Sequence, residues 1–267
     1  MIDTWGRMKN WNKVIPPSRP SEEQLRYFIL WGKNLNKTDA VAVLGSTIEF
    51  RDILYELGFA NIFIIDRNKE FYKQTSKERI YKNKETFIHG DWIDMLENYK
   101  SKFRLILSDL TSGNIAYDRR NKFYSAIENS LMIGGHFYDK VLTHDYFLSV
   151  DALIKKYEEL PINKVTVNNF SCEFLFCSEL LCECEMVDSS KIYEQLEKTS
   201  NSERINKFLK LSRFITPEGM VWHYGRVWGK LKAAYCPNLK LVKVLDDIPG
   251  SPYFDRVKIF HLNKLDK

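Results

Sequence analysis

Apolar residues along this chain fall into short blocks separated by polar, periodic stretches. Residues 40–44 (AVAVL), 61–65 (NIFII), 86–89 (TFIH), 103–107 (FRLIL) and 136–142 (HFYDKVL) are blocks of strand length. Residues 48–57 carry helical spacing and stop at Gly58, a Lys- and Glu-rich helical stretch follows the second strand, and further helices are predicted over 91–99 and 124–132. Gly134-Gly135 reads as a turn before the fifth strand. Ahead of the first strand, after Pro16, Pro17 and Pro20, Ser21-Glu22-Glu23-Gln24 reads as a capping box. The helix it opens has Leu25, Phe28, Ile29 and Leu35 on its apolar side. Strand–helix alternation of this kind predicts an α/β fold, a doubly wound and mostly parallel sheet with helices on both faces. In such sheets ligands bind beyond the carboxyl ends of the strands, where strand order reverses.

Past residue 160 the pattern changes. Residues 165–186 read as β-rich, 191–211 as helical, and 218–235 as a further helix despite Gly219, Gly225 and Gly229. Residues 239–245 and 256–261 read as two antiparallel strands that rejoin the main sheet at its edge, so the terminal strand is antiparallel. The predicted organisation is a helical cover over 1–39, a cofactor-binding core over 40–160, an inserted lid or substrate subdomain over 161–235, and a terminal hairpin over 236–267.

Composition narrows the classes. In 267 residues, 44% hydrophobic and 14% aromatic content suits a sizeable core and not a disordered chain. Forty Lys and Arg against thirty-five Asp and Glu leave +5, with the Lys residues mixed among Glu on helices, which disfavours nucleic acid as a partner. No apolar run approaches the roughly 18 residues of a membrane span, and Asp3, Arg7 and Lys9 interrupt any leader-like start. A cytoplasmic location without membrane association is expected, and a homodimer stays open. Cys172, Cys177, Cys182 and Cys184 are spaced five, five and two apart. That is not a paired-knuckle zinc pattern, so buried thiols and no metal are expected there, with Cys236 the fifth cysteine.

The strand exits carry the chemistry. The first gives Leu44-Gly45-Ser46-Thr47, where glycine lets backbone approach a ligand and a hydroxyl can cap the next helix. The second ends in Asp66, twenty-one positions after Gly45, the place where a ribose is gripped in nucleoside-binding sheets. The third gives Gly90-Asp91-Trp92, a carboxylate for an exocyclic amine beside an indole for a purine face. The fourth gives Ser108-Asp109-Leu110. Each acid alone is as easily a helix cap or a solvated turn; together, at consecutive strand ends, they point to a nucleoside-type cofactor. The fingerprint G-x-G-x-x-G is absent, which disfavours NAD and FAD and favours S-adenosylmethionine.

The succession VAVLGSTIEFRD, IIDRNKEF, HGDW, LILSDL and IGGHFYDKVL resembles class I S-adenosylmethionine-dependent methyltransferases, more narrowly the bacterial group whose first motif reads L-G-x-T-x-E-x-R. The resemblance runs from about Ser21 to Thr143 and implies a Rossmann-like fold and methyl transfer. It would have Leu44, Gly45, Ser46 and Thr47 line the methionine moiety and Asp66 with Arg67 hold the ribose. Asp91 would hold the adenine amine with Trp92 on the ring, and Asp109 with Leu110 would face the methionine amine or the transfer site. Val43 stands where an acid is often found, and Glu49 and Arg51 are expected to compensate at the start of the helix. Lys140 takes the place of the basic residue that members of the group commonly carry after the Gly-Gly turn.

For the acceptor, a small molecule or short peptide is expected; RNA or protein methylation, or a cofactor-binding domain without catalysis, remain alternatives. A base is needed only if the acceptor must lose a proton, and His144 at the fifth strand exit is the candidate, with Asp109 as the second catalytic expectation. His136, at the strand start, reads as structural, His89 as half buried, and His223 lies in the insertion. Tyr27 and Trp31 share a helix face that is either core or cover for the pocket. Trp222 and Tyr224, with Trp228, form either a core cluster or an aromatic wall above the acceptor.

Overall fold

A computed structural model of the protein describes residues 14–16, 18–82, 84–143, 147–181, 186–223, 238–246 and 257–265. The apolar runs form β1 (Ala40–Leu44), β2 (Asn61–Asp66), β3 (Thr86–His89), β4 (Phe103–Asp109) and β5 (Leu131–Leu142). A short ribbon of β6 (Val187–Asp188) and β7 (Val221–Trp222) and a final pair, β8 (Leu239–Asp246) and β9 (Val257–Lys264), follow. The helices are α1 (Glu22–Gly32), α2 (Ile48–Glu56), α3 (Lys69–Glu78), α4 (Trp92–Glu97), α5 (Arg120–Ser130), α6 (Val150–Glu159), α7 (Lys164–Phe176), α8 (Ser189–Thr199) and α9 (Glu203–Ile215).

Seven strands make one sheet in the order β3-β2-β1-β4-β5-β9-β8. The first five are parallel, and β9 runs antiparallel to both neighbours. The expected Rossmann-like, doubly wound sheet with an antiparallel terminal strand is therefore the observed one. All five residues of β1 are buried, as a strand covered on both faces requires. Val41 and Val43 face Phe28 of α1 and Phe50 and Leu54 of α2. Ala42 and Leu44, one residue out of phase, face Ile93 of α4 and Phe123 and Ile127 of α5. A third core lies in the helices after β5, where Tyr157, Phe170, Tyr193, Leu196 and Phe208 are buried together.

Ser21 caps α1 in the expected capping box, with Gln24 returning the bond to the Ser21 N–H. Residues 165–186, expected to be β-rich, are corrected to α7 and a 3-10 turn over Glu179–Leu181. Asn163 and Thr166 form a second capping box there, and Val167, Phe170 and Phe174 recur at helical spacing on the buried side. The β-branched start of the segment misleads because packing overrides propensity. Of 218–235, the described part gives the β7 edge of the ribbon and not helix; residues 224–237 lie outside the described residues. Gly134-Gly135 is not a turn ahead of the strand but sits inside β5, opposite a register shift between Phe103 and Leu105. Gly134 adopts φ 68°, a backbone that favours glycine and suits the bulge.

Behind α2 a buried ion network fixes the helix. Arg51 pairs with Glu85 and donates to Thr75 Oγ1 at 2.9 Å, while Arg79 binds Asp52 and Glu85 at 2.8 Å each. No described helix is long and apolar enough to cross a membrane.

Candidate functional site

Strand order reverses between β1 and β4, so the crevice beyond their carboxyl ends is the default ligand site in this topology. A cleft lies there, lined by residues from all of the strand exits β1, β2 and β4. The register brings the strand ends level: Leu44 pairs with Ile65 and with Ser108, and Asp109 pairs with Lys140.

The turn after β1 is the floor of the cleft. Gly45 has φ 92° and donates its N–H to Ile65 O at 2.8 Å. A Cβ at this position would meet no atom within 4 Å, so glycine is required here by conformation and not by space. Ser46 Oγ donates to Asp66 Oδ2 at 2.5 Å, and Asp66 Oδ1 accepts the Asn68 N–H at 2.9 Å. Asp66 thereby ties the β1 turn to the β2 turn while lining the cleft. Trp92 is held by its Nε1–H, which donates to Ile65 O at 2.8 Å, and the Arg67 guanidinium lies 5.7 Å from its ring centre. Leu44, Thr47, Arg67, Trp92, Asp109 and Leu110 all line the same cleft.

At the β4 exit Asp109 accepts from Thr47 Oγ1 at 3.3 Å and ion-pairs with Lys140 Nζ at 2.9 Å. Both partners of that ion pair are buried, so a charged pair is held out of water by direct contact. Leu110 then turns into the left-handed region at φ 57°, which costs an ordinary L-residue roughly 1–2 kcal/mol. Its N–H donates to Lys140 O at 2.9 Å, Asn114 Nδ2 donates to its carbonyl at 3.2 Å, and Thr111 Oγ1 donates to Leu44 O at 3.0 Å. These bonds hold the strained residue in place.

Other expected site residues are not brought into the cleft. Asp91 caps α4, accepting from the Ile93 N–H at 3.0 Å, and its carboxylate lies 3.4 Å from Arg119. Arg51 is spent on Glu85, Thr75 and Ser76 behind α2, and Glu49 pairs with Arg19. Burial raises the Glu49 carboxyl above its usual range, against the pull of Arg19, and its Oε2 is a buried atom without a hydrogen-bond partner among the described residues. Lys140 does not itself line the cleft; its ammonium pairs with Asp109 and its carbonyl accepts the Leu110 N–H. Tyr27 and Trp31 pack at the other end of the sheet: Tyr27 OH is 3.0 Å from His261 Nδ1, and the Trp31 ring centre is 4.4 Å from that of His136. The β-strand direction explains this, because His136 opens the part of β5 level with Leu105, away from the exits. His136 and His261 contact each other at 3.0 Å, and burial lowers each to about 4. His89 is exposed and not half buried. Trp222 lines a neighbouring chamber, and His223 donates its N–H to Gly113 O at 2.5 Å. His144, Tyr224, Trp228, Cys182, Cys184 and Cys236 lie outside the described residues; Cys172 and Cys177 are buried thiols. Among the described residues no group of three or more His, Cys, Asp or Glu converges as a metal site.

Ser18, Asn68, Phe71, Thr111 and Asn114 also line the cleft and escaped the sequence reading. Asn68 was within reach, since an Asn just after a strand-end acid is an N-cap signal, and it does cap α3 through the Phe71 N–H at 2.8 Å. Ser18, inside the proline-rich segment, carries no such signal.

The chain matches no family model and no curated protein. Solved structures resemble it in fold. A protein from Rhodobacter sphaeroides provisionally described as a Zn-dependent alcohol dehydrogenase is 13% identical, with 99% of this chain and 100% of that chain covered and a TM-score of 0.62. A SAM-dependent methyltransferase from Methanosarcina mazei is 11% identical over 89% of this chain and 98% of that one, TM-score 0.54. An S-adenosylmethionine-dependent methyltransferase from Mesorhizobium loti is 14% identical over 91% and 96%, TM-score 0.52. At these identities the likeness establishes the fold, and one fold carries more than one described activity, so function has to be argued from the site.

Proposed function

We propose that the chain is an S-adenosylmethionine-dependent methyltransferase acting on a small-molecule or short-peptide acceptor. The observation that carries this reading is the buried Asp66 carboxylate lining the cleft at the switch point, beside the positive-φ turn at Gly45. Carboxylate oxygens accept more than one hydrogen bond each, so binding two vicinal hydroxyls there is compatible with the bonds to Ser46 and Asn68. Trp92 and Arg67 line the cleft together, an indole and a guanidinium of the kind that pack against a purine. The side chains of Ser46 and Thr47 stand where a dinucleotide pyrophosphate needs bare backbone, which favours a nucleoside without phosphate.

When bound, the cofactor supplies an electrophilic methyl group on a sulfonium. Asp66 would bind the ribose, Trp92 and Arg67 would cover the base, and Asp109, oriented by Thr47 and Lys140, would accept from the ammonium of the amino-acid end. Leu44 and Leu110 exclude water from the reacting end. Transfer then depends on holding two reactants in line, which rigid surroundings favour. Calorimetry with S-adenosylhomocysteine and NAD tests the reading. Binding of the former and a negligible response to the latter is expected; tight NAD binding with no response to S-adenosylmethionine or its product would refute it.

A further inference from the structure

A second chamber adjoins the cleft, and Ser18 and Leu110 line both. One wall is a face of α7. Asn168, Ser171, Cys172 and Phe176 lie three, one and four residues apart, so all project to the same side. The opposite wall is the end of α9 and the β7 ribbon, with Thr216 and Trp222. The Phe176 and Trp222 rings meet edge to face at 5.0 Å and 83°. Ser171 Oγ donates to Thr216 Oγ1 at 3.2 Å, giving the largely apolar chamber a hydrogen-bonding corner in addition to Ser18 and Asn168. Ser18 Oγ lies 3.4 Å from Cys172 Sγ, and Ser18 and the strained Leu110 mark the boundary between the two spaces.

We propose that this chamber binds the methyl acceptor and that the acceptor is an uncharged molecule with a flat apolar body and one neutral hydrogen-bonding end. The proposal rests on the methyltransferase reading of the cleft. An aromatic body gains from the edge-on ring pair and the aliphatic walls. Hydroxyl and amide groups answer a neutral polar end, whereas a carboxylate or ammonium entering the chamber gives up its hydration to described lining residues that carry no opposite charge. Leu110 would then set the crossing point, because its backbone is fixed by Lys140 on one side and Asn114 on the other.

The test uses the full chain saturated with S-adenosylhomocysteine and a matched pair of probes, indole-3-carboxamide and indole-3-carboxylate, titrated by calorimetry. The carboxamide is expected to bind at least about ten-fold tighter than the carboxylate. Thr216→Val, close to isosteric, should weaken the carboxamide by about three-fold or more, and Cys172→Phe should abolish it by filling the space. Both variants should keep S-adenosylhomocysteine affinity within about two-fold. Equal binding of the pair, tighter carboxylate binding, or no heat from the carboxamide while S-adenosylhomocysteine still binds overturns the proposal and leaves the cofactor reading standing. If Cys172→Phe does not fold, Thr216→Val decides. Failure of S-adenosylhomocysteine itself to bind overturns both.

Discussion

Asp139 gives the sharpest physical test of the scaffold under the site. It lies on β5 one residue before Lys140 and is fully buried, its carboxyl accepting from Ser108 Oγ at 2.8 Å and Tyr124 OH at 2.9 Å. Burial raises its pKa from 3.8 to about 7, with the two hydrogen bonds and the Arg120 charge pulling the other way. The native state therefore keeps a proton that the unfolded chain releases near its ordinary pKa. Native protein binds more protons in this window, so stability is greatest below about pH 4, falls as pH rises to about 7, and is flat above. A shift of about three units at roughly 1.4 kcal/mol each makes the loss about 4 kcal/mol. Asp139→Asn removes the titration at nearly constant shape. It leaves one donor poorly matched, a pH-independent cost of about 1–3 kcal/mol. His136 and His261, lowered to about 4, contribute with the opposite sign: their stability is present above about pH 6.5 and lost as pH falls toward 4. Both proteins share those histidines, so the difference between them isolates Asp139. Urea unfolding of both at several pH values between about 4 and 7.5 should show the variant gaining on the wild type by about 4 kcal/mol across the window. Parallel curves would refute the reasoning.

Asp66→Ala removes charge-assisted hydrogen bonds worth roughly 1.5–3 kcal/mol, so S-adenosylhomocysteine affinity measured by calorimetry should fall about ten-fold or more. Asp91→Ala removes an N-cap and an Arg119 contact, so its melting temperature should drop by the equivalent of about 1 kcal/mol with a smaller loss of affinity than Asp66→Ala. Glu85→Gln leaves Arg51 and Arg79 buried without their shared anion, and denaturant unfolding should report a loss of about 3–5 kcal/mol. His261→Phe should flatten the loss of stability on acidification between about pH 6.5 and 4, read by the same unfolding curves.

The alternation of apolar runs and helical spacing carried the sheet. Each parallel strand lies within the expected run or extends it by a few residues, and the switch from interior to exit chemistry falls where the runs end. What failed beyond β5 was residues 165–186 and the described part of 218–235. Val165, Thr166 and Val167 have the composition of a strand, and only the later recurrence of Phe170 and Phe174 against Tyr157 and Phe208 makes the segment a helix. Tyr157 comes from the preceding α6 and Phe208 from the remote α9, so the pattern within 165–186 alone could not announce them.

The strand-end acids divide for a reason that spacing alone does not contain. Asp66 and Asp109 are the last residues of β2 and β4, and their side chains leave the sheet at the cleft. Asp91 also follows a strand, but it is the residue before α4, and a carboxylate at that position turns toward the free N–H groups of the helix it begins. Glu49 and Arg51, two apart on α2, point to different sides of the helix, one toward Arg19 and the other toward Glu85. Residue order therefore locates a site to one edge of a sheet, while the backbone conformation of each carrier decides which side chains enter it. That is why the turn residues at 45–47, with no titratable group among them, sit closer to the cleft than Glu49, Arg51 or Asp91. It is also why Asn68 and Asn114, bound to backbone at the starts of the following segments, belong to its wall.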